Sequence, residues 1–296
     1  MTKRKTRVLV LGATGMLGST LFRAFSADQN LDTFGTLRDA SGARHFAPEL
    51  HGALIPSVHL EGEAGLLTAF SIAQPDIVIN CIGIIKQLPN SNDHLECLAI
   101  NASLPHRLAK YCSVADARLV HFSTDCVFSG EHGDYKEDDF PDAYDLYGRS
   151  KFLGEVDYEN TLTFRTSIIG HELSSNKSLI DWFLGQTGAI KGFKRAIFSG
   201  LPTIEVARVI REFVIPDSDL RGLYHLSVDP ISKYDLLNLV AEVYQKDIKI
   251  IADEELVIDR SLNSGYFRER TGFLPKPWRE LVKDMYDYHR EVLGIR

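Results

Sequence analysis

The feature that most narrows the choice of fold is a turn with three glycines. A strand-like run, Arg7–Leu11, passes directly into Gly12-Ala-Thr-Gly15-Met-Leu-Gly18, and a helical stretch, Met16–Phe25, follows. Gly12 permits the tight turn, Gly15 lets backbone N–H groups approach a pyrophosphate, and Gly18 allows the helix to pack close on the strand. The helix N-terminus adds partial positive charge. Thr14, Met16 and Leu17 lie between the glycines on the same turn and join them as candidate cofactor contacts. The alternative is a glycine-rich turn with no ligand.

Short β-rich runs then alternate with amphipathic stretches, the pattern of a parallel α/β sheet. Strands are expected at Arg7–Leu11, Asp32–Thr36, Ser57–Leu60, Asp76–Ile79, Arg118–Ser123 and Leu162–Arg165. Helices are expected at Met16–Phe25, Gly65–Ala73, Leu95–Val114 with an interruption near Pro105, and Tyr147–Tyr158. After Ile168 the pattern is less regular, with helices at Ser178–Gln186, Ile204–Val214, Lys233–Tyr244 and Trp278–Val292 and strands at Ala196–Phe198, Gly222–Leu226 and Lys249–Ile251. The expected architecture is a doubly wound α/β sheet of the Rossmann type. Residues 1–168 form the dinucleotide-binding domain and 169–296 a smaller substrate-binding α/β lobe, with segments that return to the first domain.

Composition bounds the partners. Thirty-three Lys and Arg against 40 Asp and Glu leave a net charge of -7, a poor match for nucleic acid or an anionic membrane surface. Cys81, Cys97, Cys112 and Cys126 form no C-x-x-C pair, and the histidines show no ligand pairing, so no metal site is expected. The acidic run Glu131–Asp145 lacks the spacing of a calcium loop and reads as a solvated loop. Met1-Thr-Lys-Arg-Lys-Thr-Arg7 leads straight into strand-like residues without the apolar region of a signal peptide, and no apolar run approaches the ~20 residues of a membrane span, so the expectation is a cytoplasmic protein with free thiols.

The end of the second strand bears on the cofactor. An acid there would accept hydrogen bonds from a free ribose 2′-hydroxyl and repel a 2′-phosphate. Thr36 stands at that end and Arg38 follows, a side chain that can clamp a phosphate through a charge-assisted fork. This favours NADPH, with NADH the alternative; the plain reading of Arg38 is a solvated charge paired with Asp39.

The densest chemistry lies further on. His121-Phe-Ser-Thr124-Asp-Cys-Val-Phe128 ends the fifth strand, and Tyr147-Gly-Arg-Ser-Lys151 follows the acidic loop. Tyr147 and Lys151, four apart, share one helix face, and an ammonium one turn from a phenol stabilises its ionised form. Lowering a phenol by ~3 units from its free value near ~10 takes about 4 kcal/mol, which calls for Lys151 and a cationic nicotinamide together in a partly desolvated cleft. The Thr124 hydroxyl, at a strand's C-terminal end, is suited to the same substrate oxygen.

Together these residues resemble the extended short-chain dehydrogenase/reductase superfamily. Ser123-Thr-Asp-Cys-Val-Phe-Ser-Gly130, Tyr135-Lys-Glu-Asp-Asp139 and Leu146-Tyr-Gly-Arg-Ser-Lys-Phe-Leu-Gly-Glu155 most resemble the dTDP-4-dehydrorhamnose reductase family of nucleotide-sugar 4-ketoreductases. The resemblance implies a catalytic trio of Thr124, Tyr147 and Lys151, with Tyr147 and Lys151 also touching the nicotinamide ribose, and a second half that forms the sugar-nucleotide pocket. Family members usually carry an aromatic residue where Cys126 stands. The implied reaction is reduction of a 4-keto group on a UDP- or dTDP-linked 6-deoxyhexose, in deoxysugar and polysaccharide precursor biosynthesis. Sister 4,6-dehydratases resemble one another in an acidic pair after the threonine; only Asp125 is acidic here, and dehydration needs both a base and an acid. Two alternatives stay open: an epimerase with tightly held NAD, and a catalytically silent NADP-binding regulatory subunit, against which retention of the trio argues.

Asn80-Cys81-Ile82-Gly83 closes the fourth strand, where the resemblance places backbone beside the nicotinamide ribose, and Asn101 is implied to be a structural or cofactor-bridging amide. Lys86, Thr124, Asp125, Cys126 and Arg165 are candidate substrate contacts. So are Trp182, although an aromatic on a helix is more often core, and Arg260, implied to hold the nucleotide diphosphate because arginine suits pyrophosphate, with a surface ion pair to Asp259 as the alternative. A homodimer is compatible with these readings.

Overall fold

A computed structural model describes residues 4–59 and 62–294. The chain divides into two compact units. The first comprises residues 1–123, 144–164 and 210–223; the second comprises 124–143, 165–209 and 224–296. Ile210–Leu223 is a later segment that groups with the first unit, while the loop that begins at Thr124 groups with the later residues, ahead of the expected boundary at 168.

The first unit is built on a seven-stranded sheet. Its elements are β1 (Thr6–Leu11), α1 (Met16–Ser26), β2 (Leu31–Thr36), β3 (Leu54–Ile55), α2 (Ala64–Ala73), β4 (Ile77–Asn80), α3 (His94–Cys97), α4 (Leu104–Val114), β5 (Arg118–Phe122), α5 (Leu146–Leu153), β6 (Thr161–Arg165) and β7 (Gly222–His225). The strands lie in the order β7-β6-β5-β4-β1-β2-β3. All pairings among β1 to β6 are parallel. The doubly wound α/β expectation holds, and its reason is visible in β1 and β4: Val8-Leu-Val-Leu11 and Ile77-Val-Ile79 are buried throughout, as strands covered by helices on both faces must be. Leu9, Leu11, Val78, Leu104, Leu108 and Leu119 belong to one apolar cluster. The chain reverses its winding between β1 and β4, the place where such sheets bind ligands at their carboxyl ends.

Three expectations shift. The strand expected at Ser57–Leu60 lies instead at Leu54–Ile55, paired with Gly35 and Thr36; Pro56, which has no N–H, ends it, and Leu60 is outside the described residues. The helix Leu95–Val114 is three pieces, α3, a π-helical turn at Leu98–Ser103, and α4. Pro105 stands four residues after Asn101 and cannot donate to its carbonyl, so the chain widens and Leu104 N–H bonds Ala99 O instead. The helix expected to reach Tyr158 stops at Leu153, because a β-carbon on Gly154 would lie 1.9 Å from the Asn101 carbonyl oxygen; the two backbones touch there.

The second unit carries small sheets. Ala189–Phe193 pairs in parallel with Lys249–Asp253, and Ala196–Phe198 lies between Ile231–Ser232 and Ile258–Asp259. Helices at Leu179–Gly185, Lys233–Val243 and Trp278–Val292 cover them, with Ile180, Phe183, Leu236, Val240, Val282 and Met285 in the core. The helix expected over Ile204–Val214 is α-helical over Thr203–Val209 and π-helical over Ile210–Val214, and the division between units falls at that change. No helix among the described residues is long and apolar enough to cross a membrane.

Gly154→Ala should lower stability by about 1–3 kcal/mol, the usual cost of forcing atoms into a filled site. A urea unfolding curve checks this against Gly52→Ala, which adds its methyl where nothing lies within 4 Å and should leave the midpoint unmoved.

Candidate active site

In the first unit the glycine turn is shaped by contacts only glycine allows. Gly12 has φ +80°, and its N–H donates to Thr36 Oγ1 at 3.0 Å. A β-carbon on Gly18 would lie 2.2 Å from the Gly12 carbonyl oxygen, so α1 begins against the turn itself. Gly15 is the N-cap and has no side chain to satisfy the first N–H groups of the helix, and no acid stands in the first turn. Thr14 and Gly15 are exposed, Met16 half-buried and Leu17 buried. Free N–H groups on a helix end of positive character fit a pyrophosphate.

Arg38 is exposed just beyond β2 and has no hydrogen bond or ion pair among the described residues. Asp39 does not pair with it: its carboxylate accepts from Ser41 N–H at 2.7 Å, and that cap holds it below the usual carboxylate range. The guanidinium is left available to a ligand.

At the end of β4 the Asn80 amide donates to His121 Nδ1 at 3.1 Å and accepts from Ile82 N–H at 3.1 Å, bracing the Cys81–Gly83 backbone. Burial keeps His121 neutral and pushes the Cys81 thiol up, so neither carries charge here. Asn101 is 1% exposed. Its amide accepts from Ile84 N–H at 2.8 Å and donates to Ile84 O at 2.9 Å and to Ser150 Oγ at 3.2 Å. It thus clamps the loop after β4 to α5 through one accepted and two donated bonds.

Tyr147 and Lys151 stand one turn apart on α5, whose first turn is capped by Asp145 through Gly148 N–H at 3.0 Å. Lys151 is 5% exposed; its ammonium donates to the Phe122 carbonyl at the end of β5 at 2.6 Å, and burial lowers it to about 8 against the opposing pull of Glu155. Glu155 accepts from Ser123 Oγ at 2.7 Å. A β-carbon on Gly83 would lie 3.9 Å from Lys151 Nζ, so the β4 loop and the lysine share one place at the sheet's carboxyl edge. Lys86 pairs with Asp145 at 2.9 Å, its ammonium 5.5 Å from the centre of the Tyr147 ring.

The second unit holds the other candidates. Thr124 caps a short turn, Asp125–Val127, accepting from Cys126 N–H at 3.1 Å and donating to Asp125 Oδ1 at 3.1 Å. Burial raises Asp125, and Arg260 opposes it. Arg260 donates to Phe128 O at 2.7 Å, with its guanidinium 3.9 Å from Cys126 Sγ, so Thr124, Asp125, Cys126 and Arg260 form one neighbourhood. Arg165 is 3% exposed; it donates to Glu137 O at 3.2 Å and lies 5.1 Å over the Phe128 ring, inside the acidic loop's packing. Trp182 lies half on the surface of its helix, 39% exposed. Carboxylates of the acidic run serve the backbone: Asp142 accepts from Ser129 N–H, Asp139 from Lys136 N–H and Glu137 from His225 N–H. Sequence reasoning missed the roles of Asp145, Ser150 and His121. Only Asp145 had a signal, an Asp directly before a helix, the pattern of an N-cap.

The profile of the RmlD substrate binding domain matches residues 6–290. The chain belongs to that family. Among its relatives is a Danio rerio methionine adenosyltransferase 2 subunit beta, 27% identical over 252 residues, 80% of this chain and 74% of that protein. A dTDP-4-dehydrorhamnose reductase from Mycolicibacterium smegmatis is 41% identical over 87 residues, 28% of this chain and 26% of the relative. The crystal structure of a dTDP-4-dehydrorhamnose reductase from Bacillus anthracis in complex with NADP superposes with a TM-score of 0.78 at 20% identity, covering 97% of this chain and 99% of that one, which shows that the two share a fold.

Asn101→Ala would strand Ile84 N–H and O without partners. With about 1–3 kcal/mol for each buried group left unpaired, it should destabilise the protein by a few kcal/mol. Hydrogen exchange should speed up at Ile84 and along α5 before it does in β1.

Proposed function

We propose that this protein is a reductase that delivers a hydride from NADPH to the 4-keto carbon of a UDP- or dTDP-linked 6-deoxyhexose, in the cytoplasm, supplying deoxysugar precursors. The observation that carries the reading is Lys151, a buried ammonium held on the Phe122 carbonyl one turn from Tyr147, beside Gly83 and on the sheet edge that also carries the Gly12 turn. Burying a cation is costly without a function for the charge. The reduced nicotinamide supplies the hydride when bound.

The rest is chemistry of the chain. Tyr147 gives its proton to the substrate oxygen, and Lys151 stabilises the phenolate this leaves. Thr124 hydrogen-bonds the same oxygen, a role that rests on the family resemblance. The N-terminus of α1 takes the cofactor's pyrophosphate and Arg38 its 2′-phosphate. Arg260 is the candidate for the sugar nucleotide's diphosphate. Asp125 has no second acid beside it in sequence, which favours reduction over elimination.

One observation favours a second reading: the similarity to methionine adenosyltransferase 2 subunit beta runs over 80% of the chain. On that reading the chain binds NADP and regulates a partner without turnover. Product analysis separates the two. With NADPH deuterated at the transferring position and a panel of 4-keto sugar nucleotides, a reductase puts one deuterium at C4 and consumes one cofactor per product. Product without net NADPH loss would indicate an epimerase, and binding without any product the regulatory reading.

Tyr147→Phe should keep fold and cofactor binding and lower kcat by roughly 10²–10⁴, the loss expected for a general acid; steady-state kinetics with near wild-type turnover would remove Tyr147 from that role. Arg38→Leu should weaken NADPH far more than NADH, since only NADPH has a 2′-phosphate for the guanidinium to grip. Isothermal titration with each cofactor checks it, and equal losses would show that the discrimination lies elsewhere.

A further inference from the structure

Two residues after the Asn101-clamped Ile84, the chain presents Lys86. Asp145 uses both of its oxygens at this point: Oδ1 accepts from Gly148 N–H at 3.0 Å as the cap of α5, and Oδ2 pairs with the Lys86 ammonium at 2.9 Å. The result is a cation 5.5 Å from the centre of the Tyr147 ring, inside the ~6 Å reach of a cation–π contact. Lys86 and Asp145 are about two-fifths exposed, and exposed pairs add little to stability. What the pair does achieve is placement: it fixes a positive charge on the ring that the proposed reaction uses.

We propose that Lys86 is a positioning residue for Tyr147, held over the phenol by Asp145 so that its ammonium makes the phenol a readier proton donor. A neutral ring attracts a cation through its quadrupole, a phenolate through a full charge, so the contact strengthens as the proton leaves. In the step served, the O–H bond of Tyr147 breaks and its proton bonds to the substrate's carbonyl oxygen, a bound reduced nicotinamide would supply the hydride to the carbon, and solvent later reprotonates the phenolate. The charged groups that these contacts place near Tyr147 are Lys86 from the β4 loop, Asp145 at the cap of α5 and Lys151 one turn along α5, with Glu155 behind Lys151; His121 on β5 is neutral. Lys86 and Asp145 act in opposite directions.

This inference rests on Tyr147 being the proton donor, and its test reads the phenol directly, without substrate. The near-ultraviolet absorbance of tyrosinate, taken for the full chain minus Tyr147→Phe, gives the midpoint of Tyr147 alone. Lys86→Met should raise that midpoint by about half to one pH unit, the size of a screened charge at this distance. Lys86→Arg should restore the wild-type value. In turnover, the alkaline limb of kcat should move with the midpoint in Lys86→Met. A midpoint that does not move in Lys86→Met, or that Lys86→Arg fails to restore, overturns the proposal. Midpoints that shift as expected in a protein that reduces no 4-keto sugar would leave the role of Lys86 standing and remove the reductase reading.

Discussion

The carboxamide of Asn101 is the interaction on which the geometry of the first unit depends. One buried side chain, with its acceptor on Ile84 N–H and its donors on Ile84 O and Ser150 Oγ, ties the loop that leaves β4 to the helix that carries Tyr147 and Lys151. Its backbone takes part as well. Pro105 leaves the Asn101 carbonyl without the donor an α-helix would supply, the chain widens into a π turn, and Gly154 packs directly on that carbonyl. A local defect in helix bonding thus becomes the contact against which α5 ends. It adds to the Asn80 and Phe122 contacts that hold Gly83 and Lys151 Nζ in place.

Charge in the first unit follows one logic: a group is either committed to the chain or left for a ligand. Asp39, Asp145 and Glu155 are committed, to Ser41, to Gly148 and Lys86, and to Ser123. Arg38 and the first N–H groups of α1 are not. These two groups are positive in a chain whose net charge is -7, so an anionic ligand would find its attraction locally, at the glycine turn and the end of β2, and not from the surface as a whole. Lys151 stands between the two classes. Burial lowers it to about 8, so it remains mostly protonated near neutral pH and sits where its proton is easily influenced by a neighbouring phenol.

In the second unit the acidic loop shows how a sequence pattern that suggests a ligand can be spent on folding. Its carboxylates cap backbone N–H groups at Ser129, Lys136 and His225, and Tyr135 stacks on Phe128 at 4.2 Å with its hydroxyl accepting from Gly130 and Glu131 N–H. Arg165 is drawn into the same packing. Beside it stand Thr124, Asp125, Cys126 and Arg260, a hydroxyl, a carboxyl of raised affinity for protons, a thiol and a guanidinium that bond to one another.

The amino-acid order alone determined the doubly wound sheet, because buried parallel strands must be continuously apolar and Val8–Leu11 and Ile77–Ile79 are. It also determined the glycine turn, because a strand runs directly into Gly12, Gly15 and Gly18, and the pairing of Tyr147 with Lys151, because four residues make one helical turn. These are local rules, in which the spacing along the chain is the geometry. The tertiary structure decided what depends on residues far apart in sequence: that Asn101 bridges Ile84 and Ser150, that β3 sits at Leu54–Ile55 where β2 offers a partner, that the acidic loop's first residues group with the second unit, and that Lys86 reaches Asp145 across 59 positions. No periodicity encodes such contacts, since each exists only after the sheet has brought its strand ends to one edge.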